Sequence, residues 1–276
     1  MAWTRFLETL DRRWIFLIVG LLVLIPLLFP LEPPLHVSPP VKGFVEAIER
    51  IPGGSTVLMS CDYDPGSIPE LVPMTRTALR QLFDRNCRVV ITVLWAGGPG
   101  LVDGVLREVA ARYPEKKYGE DYVNLGYKDG REAVMAVMGH GVVNAFPRDY
   151  RGNDTRSLPI MRRVRDYSSF PLIISISAGT PGTREWVQQV QARFHVPMVS
   201  GCSAVSAPGY YPYLQSGQLQ GLLGGMVGAA EYEKARGEKG AATRGMAAQS
   251  LAHVFVALMI LLGNAVRWTT GRRTAS

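Results

Sequence analysis

Cys87-Arg88-Val89-Val90-Ile91-Thr92-Val93-Leu94-Trp95 is a short apolar run built mostly from β-branched residues. Its apolar positions are consecutive rather than alternating. That is the signature of a strand buried on both faces, as in a parallel sheet covered by helices. The flanking sequence supplies such helices. Glu70–Asn86 before it places Leu71, Met74, Ala78, Leu79 and Leu82 at helical spacing, and Leu101–Tyr113 after it reads as a second helix.

The alternation extends in both directions. Ser55–Cys61, bounded by Gly53-Gly54 and Asp62, reads as a buried strand. Asp121–Tyr127 reads as another, followed by a short helix at Arg131–Met138. Leu172–Ala178 is a strand, Arg184–Phe194 a helix and Pro197–Cys202 a strand. Leu214–Arg236 reads as a final long helix. Parallel strands need crossover connections, so the pattern predicts an α/β fold: one doubly wound, Rossmann-like, mostly parallel sheet of about five strands. Residues 114–130 and 139–157 read as long loops rich in Tyr, Gly, Asp and Asn, and long loops inside compact domains are usually functional or mobile.

Trp14–Leu31 and Met246–Val266 carry no charge. A bilayer core about 30 Å thick is crossed by roughly 20 apolar helical residues, so both stretches predict a transmembrane helix, one on each side of the α/β domain. Trp14 and Trp268 lie at their outer ends, where Trp favours the headgroup level. A cleaved signal peptide is the other reading of the first stretch. Phe29-Pro30-Leu31-Glu32-Pro33-Pro34 offers no small-x-small cleavage site, which favours an uncleaved anchor. Arg5, Arg12 and Arg13 precede it, and the first cation after it is Lys42. This predicts an inner or plasma membrane protein with both termini cytoplasmic and the domain extracytoplasmic. The expected layout is a tail 1–13, a span 14–31, a proline-rich spacer 32–41 holding the domain 42–240 off the membrane, a span 246–266 and a tail 267–276.

The 276 residues carry a formal net charge of +7, of which the segment 1–13 holds +1 and the segment 245–276 holds +3. The domain between them is mildly basic and has no Lys/Arg block, so a nucleic-acid partner is not expected. Cys61, Cys87 and Cys202 show no CxxC spacing, which points away from a zinc site or a disulfide framework.

In open parallel sheets ligands bind outside the carboxyl ends of the strands. Three such ends are polar and rich in small residues here: Asp62, Asp64, Gly66 and Ser67; Gly179, Thr180, Gly182 and Thr183; and Ser200, Cys202 and Ser203. Asp62 and Asp64, one residue apart past a strand, can share a hard cation such as Mg²⁺. Over this segment alone, Asp62-Tyr63-Asp64 resembles the Asp-x-Asp of haloacid-dehalogenase-type phosphatases. The resemblance implies a metal-dependent hydrolase or transferase, although no later acidic pair follows. The plainer reading makes Asp62 a turn cap and Asp64 a loop residue. Thr180–Thr183 could cradle an anion at a helix N-terminus, or Thr183 could simply cap that helix. His140 and Cys202 suggest a Cys/His dyad if the fold brings them together.

Tyr210, Tyr211 and Tyr213 form an aromatic loop suited to an interface, or to covering the core edge. Gly221 and Gly225 lie in a glycine cluster that implies close backbone approach, either within the domain or between subunits. His253, with Gln249 and Asn264, makes the second span slightly polar, as where a membrane helix meets a partner. The expected function is a non-catalytic α/β subunit of a homo- or hetero-oligomeric membrane assembly, binding a partner protein or small ligand at the carboxyl edge of its sheet. The alternatives are the metal-dependent enzyme using Asp62 and Asp64, and a tethered solute-binding domain.

Overall fold

Six parallel strands form one sheet in the order β3-β2-β1-β4-β5-β6. The computed structural model describes residues 11–29 and 35–271. In chain order the elements are α1 (Arg12–Leu28), α2 (Pro39–Glu49), β1 (Thr56–Asp62), α3 (Ile68–Asp84), β2 (Arg88–Val93), α4 (Pro99–Ala110), β3 (Tyr122–Tyr127), α5 (Glu132–His140) and α6 (Val142–Ala145). They continue with β4 (Ile173–Ser177), α7 (Thr183–Trp186), a π-helical turn (Val187–Gln191), α8 (Ala192–Phe194), β5 (Met198–Cys202), α9 (Tyr211–Gln215), β6 (Leu222–Gly224), α10 (Gly225–Ala235) and α11 (Ala241–Gly271). The strand order reverses between β1 and β4, which is the topological switch point of a doubly wound sheet.

Both faces of the sheet are covered, as the mostly apolar, non-alternating runs require. Leu58, Val90, Val123, Ile173, Met198 and Leu222 pack in one core with Met135, Met138, Tyr167, Trp186, Val187 and Val190. On the other face α2, α3, α4 and α10 lie against the strands. All three cysteines are free and buried.

The sixth strand corrects the expected long helix Leu214–Arg236. That segment is α9, then β6, then α10. Gly217 at φ +76° ends the first helix, and Leu222 and Leu223 are buried as an edge strand paired with Ser200 and Gly201. The chain leaves the strand at Gly225, whose φ of +60° suits glycine.

The proline-rich spacer is also corrected where it is described. Pro39 and Pro40 open α2, where a missing N–H costs nothing. Ser38 is fastened to α10: its N–H and Oγ both donate to Glu231 Oε2, at 2.9 and 2.5 Å. Residues 35–41 therefore belong to the folded unit, Leu35–Ala242. Residues 32–34 lie outside the described residues.

The terminal segments form a separate unit. Among the described residues one helix is long and apolar enough to cross a membrane, α11 over Ala241–Trp268. Its Val254, Leu258, Ile260 and Leu261 are exposed. The expected N-terminal span appears as the 17-residue α1. At 1.5 Å per residue it is about 25 Å long, short of the bilayer core. Its expected end at Pro30 and Leu31, the tail residue Arg5, and Arg272 and Arg273 lie outside the described residues.

Candidate functional site

At the switch point two rows of polar side chains cross the sheet in register. Ser60, Ser175 and Ser200 are neighbours on β1, β4 and β5, and Asp62, Ser177 and Cys202 form the next row toward the carboxyl edge. All six are fully buried. Buried polar groups must be hydrogen-bonded, and the four serines and Asp62 are bonded to one another or to α7. Thr183 donates its backbone N–H to Ser177 Oγ at 3.0 Å. Its hydroxyl lies 2.6 Å from Ser200 Oγ and 3.1 Å from Ser177 Oγ. Gly182 donates its N–H to Glu185 Oε2 at 2.8 Å.

Asp62 sits at the centre of this interior. Its Oδ1 accepts the Leu94 N–H at 2.7 Å. Its Oδ2 accepts the Ser60 hydroxyl at 2.5 Å and the Trp186 indole N–H at 3.1 Å. Burial raises its pKa to about 6 against the pull of these donors. One carboxylate thus ties β1 to the end of β2 and to α7.

The geometry gives the two carboxylates separate partners. The Asp62 carboxylate is fully buried and engaged by three donors, while the half-buried Asp64 uses Oδ1 to accept the Gly66 N–H at 3.0 Å in the turn Pro65–Ser67. Gly66 is exposed and Ser67 half-buried in that turn. Among the described residues no group of three His, Cys, Asp or Glu side chains comes together to hold a metal. The anion cradle at Thr180–Thr183 is closed as well, because the Gly182 and Thr183 N–H groups already have partners. Gly182, not Thr183, is the cap of α7.

The Cys/His dyad is not formed. His140 is exposed at the end of α5, whereas Cys202 is fully buried, and no hydrogen bond joins them. Burial, and then Glu70, push the Cys202 thiol up to about 12, which leaves it protonated. Alkylating reagents are expected to leave Cys61, Cys87 and Cys202 untouched in the folded protein and to label all three only on unfolding. Stoichiometric labelling of native protein by mass spectrometry would contradict this burial. Ser203 is half-buried, and its hydroxyl oxygen lies 3.3 Å from Ala178 O and 3.0 Å from Ser206 Oγ.

The interface candidates divide. Tyr210 is buried, Tyr213 half-buried and Tyr211 exposed, so only the last offers a free ring. Gly221 and Gly225 are buried inside the domain against Phe44 and Ala204, not at a subunit surface. His253, Gln249 and Asn264 are all exposed on α11.

Open space at the carboxyl edge lies beside the switch point, over β2 and β3. A cleft of about 280 Å³ is bounded by Trp95, Thr180-Pro181, Tyr127 and Arg131. The Trp95 indole N–H donates to Pro181 O at 2.8 Å and fixes one wall, with Gly179 against its ring. A second cleft of about 460 Å³ lies between Leu125–Lys128 and the segment 145–156, and the two share Tyr127. Of the residues singled out from sequence, Thr180 reaches an opening and Gly179 backs one. Trp95, Tyr127, Lys128, Arg131, Arg148 and Arg156 were not singled out. For Tyr127, Lys128, Arg148 and Arg156 the signal was the composition of the long loops, not any motif, while Trp95 and Arg131 lay at the ends of an expected strand and an expected helix.

Neither family models nor curated proteins give a match to this sequence.

Proposed function

We propose that this protein is a non-catalytic, membrane-tethered ligand-binding subunit that takes a small molecule at the carboxyl edge of its sheet. The observation that carries the reading is the pair of adjoining clefts that share Tyr127. They lie where parallel sheets bind ligands, and they combine aromatic walls with a few polar groups. The switch-point carboxylate and thiol that could have done chemistry are sealed inside, and the carboxylate is engaged by Leu94 and Trp186.

The tether is α11, with α1 as a second anchor. Arg12 and Arg13 in the first turn of α1, and no cation after the helix until Lys42, favour a domain on the far side of the membrane from those arginines. Gln249, His253 and Asn264 are exposed on α11 and suit a contact with another membrane helix, which supports membership of an assembly.

A thermal-unfolding screen of the full chain in mild detergent tests the ligand reading. The classes to screen are carboxylates, phosphate esters, sugars, amino acids and nucleosides. At least one class should raise the unfolding temperature of the wild type, by mass action on the folded state, and raise that of Tyr127→Ala far less. A flat response across all classes would sink it. A strictly monomeric particle with no co-purifying protein would sink the assembly.

A further inference from the structure

The larger cleft has a chemistry of its own. Its floor is Leu125 and Phe146, both buried. Its rim carries Lys128, Arg148 and Arg156 against one carboxylate, Asp154. That carboxylate is engaged in its own turn, where it accepts the Arg156 backbone N–H at 3.0 Å. Arg148 gives one Nη1 bond to Gly152 O at 2.9 Å and keeps its other donors. The side chains of Lys128 and Arg156 form no hydrogen bond or ion pair with any described residue, whereas elsewhere in the domain Arg50, Arg76, Arg80, Arg107 and Arg236 do.

Three cations facing one carboxylate leave the rim two positive charges in excess. A single carboxylate ligand would neutralise only one of them. A phosphate monoester carries a charge of about −1.5 to −2 at neutral pH and presents three acceptor oxygens. Arginine meets it with a planar fork and lysine as a point charge. The apolar floor and the Tyr127 ring would take an organic group, and a cleft of about 460 Å³ has room for one beyond the phosphate.

We infer that this cleft binds a small phosphate monoester whose organic part is apolar or planar, with Lys128, Arg148 and Arg156 holding the phosphate. This rests on the ligand-binding reading above and narrows it to one class. The ester could be a soluble metabolite or the headgroup of a phosphatidic-acid-type lipid, and the two sources are separable.

Calorimetric titration of the full chain in mild detergent with phenyl phosphate is the test, with dioctanoyl phosphatidic acid as the lipid arm. Saturable binding is expected at about pH 7.5. It should weaken at about pH 5.5, where most of the ester has lost its second charge, because the second phosphate pKa is about 6. Phenyl sulfate, of the same shape but one charge, should bind about tenfold more weakly. Arg156→Gln and Lys128→Gln should each weaken phenyl phosphate about tenfold, the size of one charge-assisted hydrogen bond. Both side chains are exposed and unbonded, so the variants should unfold at the wild-type temperature.

Binding of the lipid alone, lost when Lys128→Gln and Arg156→Gln are combined in a double variant, upholds the inference and assigns the source to the membrane. Binding of neither phosphate, binding indifferent to the double variant, or equal binding of the sulfate overturns it. If some other ligand class still stabilises the wild type through Tyr127, only this inference falls. If no class does, the ligand-binding reading falls with it.

Discussion

Asp62→Ala is expected to destabilise the protein by about 4 kcal/mol at about pH 4, and the gap to wild type should narrow by about 3 kcal/mol by neutral pH. The first figure comes from two donors that have no other acceptor. The Leu94 N–H and the Trp186 indole N–H both end on this carboxylate in the buried interior, and each buried donor left without a partner costs about 1–3 kcal/mol. The Ser60 hydroxyl can rotate, so it adds little.

The pH dependence follows from linkage. The folded-state pKa of Asp62 is raised to about 6, from about 3.9 in the unfolded chain. Below about pH 4 the group is protonated in both states, and its contribution to stability is fully present. As pH rises toward 6 the unfolded chain releases the proton while the folded one retains it, so stability falls. Above about pH 6 both states are ionised and the curve is flat. Alanine removes this slope. Urea unfolding of the full chain in detergent, followed by the fluorescence of Trp95 and Trp186, measures both effects. A variant gap that is constant from pH 4 to pH 7 would contradict the raised pKa. A gap near zero throughout would contradict the hydrogen-bonding role.

Gly221→Ala should be comparably severe, at about 3 kcal/mol or more. A Cβ at this position would overlap Phe44 N and Cα and lie 2.6 Å from the Gly43 carbonyl carbon. All three atoms are backbone, so no side chain can swing aside. From the other side, a Cβ on Gly43 would overlap Gln220 O. The two glycines let α2 approach the start of β6 backbone to backbone, and Phe44 then meets Tyr232 edge-on at 5.1 Å. Separating them would loosen α2, β6 and α10 together. Gly104→Ala on α4 is the control: its Cβ would meet nothing within 4 Å, and alanine in a helix interior is worth about 1 kcal/mol over glycine. The first variant should melt well below wild type and the control at or above it. Equal melting temperatures would mean that the close approach carries no constraint.

Four strands were plain in the sequence because each is a short, mostly apolar run bounded by turn residues: Val57–Cys61, Val89–Leu94, Ile173–Ile176 and Met198–Cys202. A strand covered on both faces needs no help from distant residues to declare itself. β6 has three residues, too few to show any period, and it sits among leucines and glycines whose spacing also fits a helix. Its strand character comes from pairing with β5, which is a long-range property. Ser38 is a similar case. Nothing local marks it as the point where the chain fastens to Glu231, nearly two hundred residues away.

The candidate site was legible only as an edge. Reasoning from strand ends led to Asp62, Thr183, Ser200 and Cys202, which do stand together, but they face inward. Alternation along a strand gives the face of each side chain. It does not tell whether that face, at its last residue, meets water or Trp186. Lys128, Arg148 and Arg156 carry no motif and lie up to 28 positions apart, so only the folding of the segment 145–156 beside β3 gathers them.

By itself, then, the sequence determined the α/β architecture and an apolar C-terminal helix, because burial on two faces and length in apolar residues are written in consecutive positions. The tertiary structure decided the sixth strand, the sealing of the switch-point polar rows and the place of the open clefts. Each of these depends on which distant backbone occupies the space beside a residue, and no local pattern encodes that.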